Sequence, residues 1–240
     1  MKNIKEIEHL ESITSFYKEG DYIDELMIER EIELIKKCIN SYESALEVGC
    51  GNGYSTERLY KLFNNFEAIE PSKGNIELLK KKVPSISCQQ TLLEDYDTDK
   101  KYDNIFFLNV IEHVENPIES LKTLSNLLND EGLIFISAPN CMSLNRRAGY
   151  KMGALDNYAK FAPKDYKVGH RRLYTVDMMR DHCEEAGLKV LDMKGVYLKP
   201  LSETQMFELG DDVIKAFMSL GEDLPHYSAG IFAIATKKYY

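Results

Sequence analysis

Five short apolar runs, ALEVG (45–49), FEAIE (66–70), SISC (85–88), NIFFLN (104–109) and LIFISAP (133–139), are separated by amphipathic stretches at 54–63, 73–82 and 117–128. Continuous apolar runs of this length suit strands covered on both faces, and the longer stretches suit crossover helices. Such alternation specifies a doubly wound, parallel α/β sheet. Before it, residues 1–43 place apolar side chains at helical spacing (Ile4, Ile7, Leu10; then Leu26, Ile28, Ile32, Leu34, Ile35, Ile39), interrupted at Gly20 and Asp21. They predict two helices in a flanking layer. After it, 176–186 predicts a helix closed by Gly187, and 188–196 and 229–236 predict two more strands. The intervening 140–175 and 197–228 are polar and aromatic with few strand signals. Because structureless stretches of that length are uncommon in a compact domain without a role, both are expected to be substrate-lid insertions. No repeat or Ser/Gly linker interrupts the chain, so 1–240 reads as one domain with its ligand-binding core at 44–139.

Composition narrows the chemistry. With 44% hydrophobic residues, disorder is excluded. No apolar run approaches the roughly 20 residues that cross a bilayer, and MKNIKEIEHL lacks the apolar core of a signal peptide, so a cytoplasmic protein is expected. Thirty basic against thirty-nine acidic residues leave −9, which disfavours nucleic acid as a partner. The basic run Lys80 to Lys82 suits the end of a helix, where cations meet exposed carbonyls. Five scattered cysteines without a C-x-x-C pair predict reduced thiols rather than disulfides or zinc. A small-molecule partner is expected, with self-association into a homodimer left open.

The segment Glu47-Val48-Gly49-Cys50-Gly51-Asn52-Gly53 leaves a predicted strand and opens a helix, where glycines allow a sharp turn and a close approach to a ligand. Glu70 ends the next strand, 21 residues after Gly49, where a carboxylate can accept both hydroxyls of a ribose. The spacing is G-x-G-x-G rather than the G-x-G-x-x-G of pyrophosphate sites, and Glu47 sets a negative charge beside the turn. This nucleoside pocket therefore prefers a cation to a phosphate.

These residues resemble the class I S-adenosylmethionine-dependent methyltransferases. ALEVGCGNGYSTERL is similar to their first motif, AIEPS to the segment with the ribose-binding acid, TLLEDY to the adenine border, and YDNIFFLNVIEHVENP to the fourth strand and its loop. The resemblance implies a mostly parallel seven-stranded sheet with an antiparallel last strand and S-adenosyl-L-methionine as cofactor. It further implies that Glu47, Gly49, Gly51, Gly53, Glu70, Glu94 and Asn109 line the cofactor site. Tyr17 and Tyr22 are candidates to close over the methionine moiety.

Methyl transfer is an in-line displacement that rests on alignment, and a hydroxyl acceptor also needs a base. His170, in VGHRRLYT, is the preferred base, with Arg171, Tyr174 and Lys199 as substrate-binding candidates; a similar His-Arg-aromatic-Thr sequence occurs in some sugar N-methyltransferases. His113, in NVIEHV, is the second candidate, its simpler reading being loop packing. His9, His182 and His226 fit no metal-ligand spacing, so no metal is expected. The polar clusters favour a sugar or nucleotide sugar as acceptor. The alternatives are a quinone or aromatic acceptor, since NVIEHV also resembles ubiquinone-biosynthesis methyltransferases, and a non-catalytic module that only binds the cofactor. NAD affinity in place of S-adenosylmethionine affinity would instead mark a dehydrogenase.

Overall fold

A computed structural model describes residues 2–14 and 22–238; Tyr17 and the expected helix break at Gly20 and Asp21 lie outside them. The seven strands are β1 (Ser44–Val48), β2 (Asn65–Ile69), β3 (Ser87–Gln89), β4 (Tyr102–Leu108), β5 (Leu128–Pro139), β6 (Leu188–Gly195) and β7 (Gly230–Lys237). They form one sheet in the order β3-β2-β1-β4-β5-β7-β6, with β7 antiparallel to both neighbours and the other pairings parallel. Strand order reverses between β1 and β4, and in open α/β sheets the crevice at that point, outside the carboxyl ends of the strands, is where ligands bind.

Alternation along the strands feeds two cores. Leu46, Ile105, Phe107, Ile134 and Ile136 face α5 (Pro117–Leu127) and α8 (Val176–Glu185). Ala45, Phe106, Phe135 and Phe232 face the other layer, which includes Ile32 and Ile35 of α2 (Tyr22–Cys38) and Leu59 of α3 (Tyr54–Leu59). On that face Phe66, Phe106, Phe135 and Phe232 make successive ring contacts at 6.1, 5.5 and 6.1 Å between centroids, a cross-strand ladder that fixes sheet register. The helices start where side chains can serve their free N–H groups. Ser72 caps α4 (Lys73–Lys82), Asn116 followed by Pro117 opens α5, and Thr175 accepts from the Met178 N–H at the start of α8.

One detail departs from expectation, and the two lid stretches, expected to be helical or irregular, hold helices. β3 is a short edge strand with exposed positions, not one covered on both faces, since nothing pairs beyond it. The middle of 197–228 is helical: α9 (Glu203–Leu209) begins with a Ser202/Gln205 capping box, and α10 (Asp211–Gly221) buries Ile214 and Met218 against Ile23 and Tyr197. The 140–175 stretch contains α6 (Leu144–Lys151) and α7 (Pro163–Lys167). No helix among the described residues is long and apolar enough to cross a membrane.

Candidate active site

The turn after β1 takes the backbone through left-handed conformations at Gly49 (φ 74°), Gly51 (φ 51°) and Gly53 (φ 80°). At Gly49 a side chain is excluded twice over: by the positive φ, and because a Cβ would stand 2.7 Å from Val110 Cγ2. Glu70, 4% exposed, ties this turn to the end of β2. It accepts from the Gly51 N–H at 3.0 Å, the Ser72 N–H at 3.0 Å and Asn75 Nδ2 at 3.2 Å. Burial raises its pKa, while those donors pull it back towards the ionised form.

Above the turn lies a cavity of about 550 Å³. Its floor is Gly49 and Gly51, Ile69 to Pro71, Thr91 to Glu94, Phe107 and Asn109 to Val110; its far side is His113 to Asn116 with Arg171. The remaining wall is α1 (Lys2–Ile13), through Lys5, Glu6, Leu10 and Ile13. This helix was expected only as flanking structure. Glu6 pairs with Arg171 at 2.6 Å, Glu11 accepts the Gly74 N–H at 3.1 Å, and the hydroxyls of Thr14 and Ser72 meet at 2.8 Å.

Of the residues singled out in the sequence, Gly49, Gly51, Glu70, Glu94, Asn109, His113 and Arg171 converge on this cavity. Six do not. Glu47 is buried behind the turn, where the Ser55 and Thr56 hydroxyls donate to it, and Gly53 opens α3 against Leu79. Tyr174 is fully buried, its hydroxyl 3.2 Å from His182 Nδ1, because the segment at 174 docks beside β5 through the bridge to Asn140. Lys199 pairs with Glu203 at 2.9 Å, away from the cavity. Tyr22 lies against Phe207, with 6.1 Å between ring centroids, and so does not close over the site. From 197–228 no residue reaches the cavity wall.

The sixth, His170, stands behind His113. Their rings meet edge to face at 4.9 Å; His113 Nδ1 is 3.4 Å from the Gly169 carbonyl, and His170 Nδ1 is 2.8 Å from Asp165 Oδ1. Both Nε2 atoms lie 3.9 Å from Glu112 Oε1. Burial, and then the neighbouring His170, push the His113 pKa down to about 3, whereas burial lifts Glu112 to about 7. His113 is thus a neutral imidazole at neutral pH. Although no metal-ligand spacing shows in the sequence, the fold brings ligand atoms of Glu112, His113 and His170 within 4.8 Å of one another, a trio able to hold a cation.

Two features escaped the sequence reading. The wall made by α1 is a matter of tertiary placement. Glu31, in contrast, carries a local signal: it shares the apolar spacing of Ile28, Ile32 and Ile35, and it is 1% exposed.

The sequence was also compared with known proteins. The model of the methyltransferase domain family matches residues 21–193. The ubiquinone biosynthesis O-methyltransferase of Rickettsia typhi (strain ATCC VR-144 / Wilmington) is 28% identical, the match covering 97% of this chain and 98% of that protein. That of Rickettsia conorii (strain ATCC VR-613 / Malish 7) is 29% identical over 82% of this chain and 68% of that protein. Among solved structures, the plantazolicin methyltransferase BpumL, in complex with a triazolic desmethylPZN analog and SAH, superposes with a TM-score of 0.60 at 19% identity over 98% of each chain. The N-methyltransferase NodS from Bradyrhizobium japonicum WM9, in complex with S-adenosyl-L-homocysteine, gives 0.59 at 12% identity over 92% of this chain and 90% of that one. Sheet order, glycine turn and domain match agree: the chain belongs to the methyltransferase domain family, as a class I S-adenosylmethionine-dependent methyltransferase.

Proposed function

We propose that the enzyme methylates a hydroxyl of an aromatic, quinone-type acceptor. The residues fit the cofactor: Gly49 and Gly51 bring bare backbone to the cavity, and Glu70 lines it beside them with its carboxyl held by backbone N–H groups, able to accept from a ribose. In this reading Gly49, Gly51, Glu70, Glu94 and Asn109 hold S-adenosylmethionine, and Glu47 and Gly53 shape the turn from behind. When bound, the cofactor supplies a methyl group on a sulfonium.

The observation that carries the acceptor class is the chemistry of the wall. Leu10, Ile13, Phe107, Val110 and Val114 make it largely apolar, which suits a ring and disfavours a polyhydroxylated sugar. Apart from Arg171, which lines the cavity paired with Glu6, the polar residues that favoured a sugar in the sequence are engaged elsewhere. His170 bonds Asp165, Lys199 bonds Glu203, and Arg172 donates to the carbonyls of Ile111, Val114 and Glu115. The names of the Rickettsia relatives point the same way.

His113 lines the cavity as a neutral base. With its Nδ1 directed at the Gly169 carbonyl, His113 would take the hydroxyl proton through Nε2 as the new O–C bond forms. His170, held by Asp165, supports that ring from behind rather than meeting the acceptor. The test is to incubate the enzyme with S-adenosylmethionine and either a catechol-type quinol or a nucleotide sugar, following S-adenosylhomocysteine. Turnover on the aromatic acceptor, falling at least 100-fold in His113→Asn, is expected; turnover on the sugar alone would overturn the reading.

A further inference from the structure

Glu31 is a carboxyl group with no cationic partner among the described residues. It sits in α2 among buried Ile32, Leu34 and Ile35, and the groups bonded to it are neutral: the Asn109 amide and the Ser137 hydroxyl. Asn109 Nδ2 lies 3.4 Å from its Oε1 and 3.5 Å from its Oε2. A hydrophobic side chain would complete the α2 face at no desolvation cost, so packing gives no reason for an acid here.

The residue it touches is itself unusual. Asn109 ends β4 at the strand-order reversal, lines the cavity, and has φ 53°, the one positive value at a non-glycine among the described residues. Its backbone N–H is fixed by both the carbonyl and the hydroxyl of Ser137 on β5, each at 3.1 Å. The backbone is therefore anchored by β5 and the side-chain amino group by α2. With its Nδ2 committed to Glu31, Asn109 has its amide oxygen left for the cavity, where it can only accept a hydrogen bond.

The geometry points to Glu31 as a positioning residue for acceptor recognition, orienting the Asn109 amide so that its oxygen receives a hydroxyl of the aromatic acceptor other than the one being methylated. This rests on the proposed aromatic acceptor, taken as a ring carrying two neighbouring hydroxyls. The second hydroxyl is gripped by Asn109 while the first faces His113, and two fixed points orient a planar ring where one does not.

The discriminating experiment compares catechol with phenol as acceptors in wild type, Glu31→Leu, Glu31→Gln and Asn109→Ala. In wild type the kcat/KM ratio of catechol to phenol is expected to exceed 10. Glu31→Leu should lower that ratio at least fivefold, mainly through kcat, with S-adenosylmethionine affinity by calorimetry within threefold of wild type and an unchanged or higher Tm. Glu31→Gln, whose side-chain carbonyl still accepts from Asn109, should restore most of the ratio. Asn109→Ala should reproduce the loss of the ratio, beside any weakening of cofactor binding that its place in the cofactor site brings, and adding Glu31→Leu to it should lower the ratio no further. In a sample carrying bound S-adenosylhomocysteine, the Asn109 side-chain amide resonance should shift in Glu31→Leu and return in Glu31→Gln. A wild-type ratio in Glu31→Leu, a loss that Glu31→Gln does not restore, or an unmoved Asn109 resonance would overturn the assignment. Turnover of neither acceptor by wild type would instead fault the proposed acceptor class, and the resonance would still decide the role of Glu31.

Discussion

Glu70 illustrates how one carboxylate serves two purposes. Its three donors come from Gly51, Ser72 and Asn75, so the group proposed to bind ribose also pins the glycine turn to the adjacent strand. Glu70→Ala is expected to weaken S-adenosylmethionine binding by about 1.5 to 3 kcal/mol, through loss of a charge-assisted contact and loosening of the turn. Calorimetry checks this, and unchanged affinity would remove Glu70 from the cofactor site. Residues of this kind were legible because strand, turn and acid follow each other at fixed separations. His113 and His170 were each visible, but their edge-to-face contact was not, since 56 residues separate His113 from its Gly169 partner and the burial that depresses its pKa arises only in the folded chain. Tyr174 was misjudged for the same reason: an aromatic within a polar run looks exposed until the bridge to Asn140 buries it.

At the level of elements, the runs that alternate with amphipathic stretches became the sheet and its crossovers, because burial on both faces leaves a continuous apolar signature. Elements outside that rhythm were harder to place. The Ser202/Gln205 capping box does announce α9, yet neither its packing partner nor the exclusion of 197–228 from the cavity could be inferred from it. Helix α1 is the clearest case. Its pattern gives a helix, and only its tethers to Arg171, Gly74 and Ser72 make it a wall. Its backbone amides should therefore exchange faster with solvent in the free enzyme than those of β4, and should slow at least tenfold when S-adenosylhomocysteine is bound. Hydrogen exchange read by mass spectrometry checks this, and equal exchange with and without ligand would show that α1 does not contact it.

For the whole molecule, buried acids set the response to pH. Burial, opposed by the Ser137 and Asn109 hydrogen bonds, lifts the Glu31 pKa to about 8, and burial lifts Glu112 to about 7. Each folded-state value lies above its unfolded one, so the folded protein holds protons that the unfolded chain releases. The resulting stability is fully present below about pH 4.5 and is lost as pH rises through 7 and 8. His113 acts in the opposite sense and only below about pH 6.5, where the unfolded chain takes up a proton that the folded ring refuses. Stability should thus increase as pH falls from 8 to 6.5, with a slope of at most about 1.4 kcal/mol per pH unit for each acid. Denaturant unfolding at stepped pH checks this, and Glu31→Gln should flatten the upper part of the slope.

The cavity borrows part of its boundary from the helix nearest the amino terminus, so whichever ligand arrives first organises a surface that the second will also use. Where donor and acceptor both contact that helix, each is expected to raise the other's affinity by one common factor. Shortening that boundary should erase the mutual assistance before it erases either individual affinity.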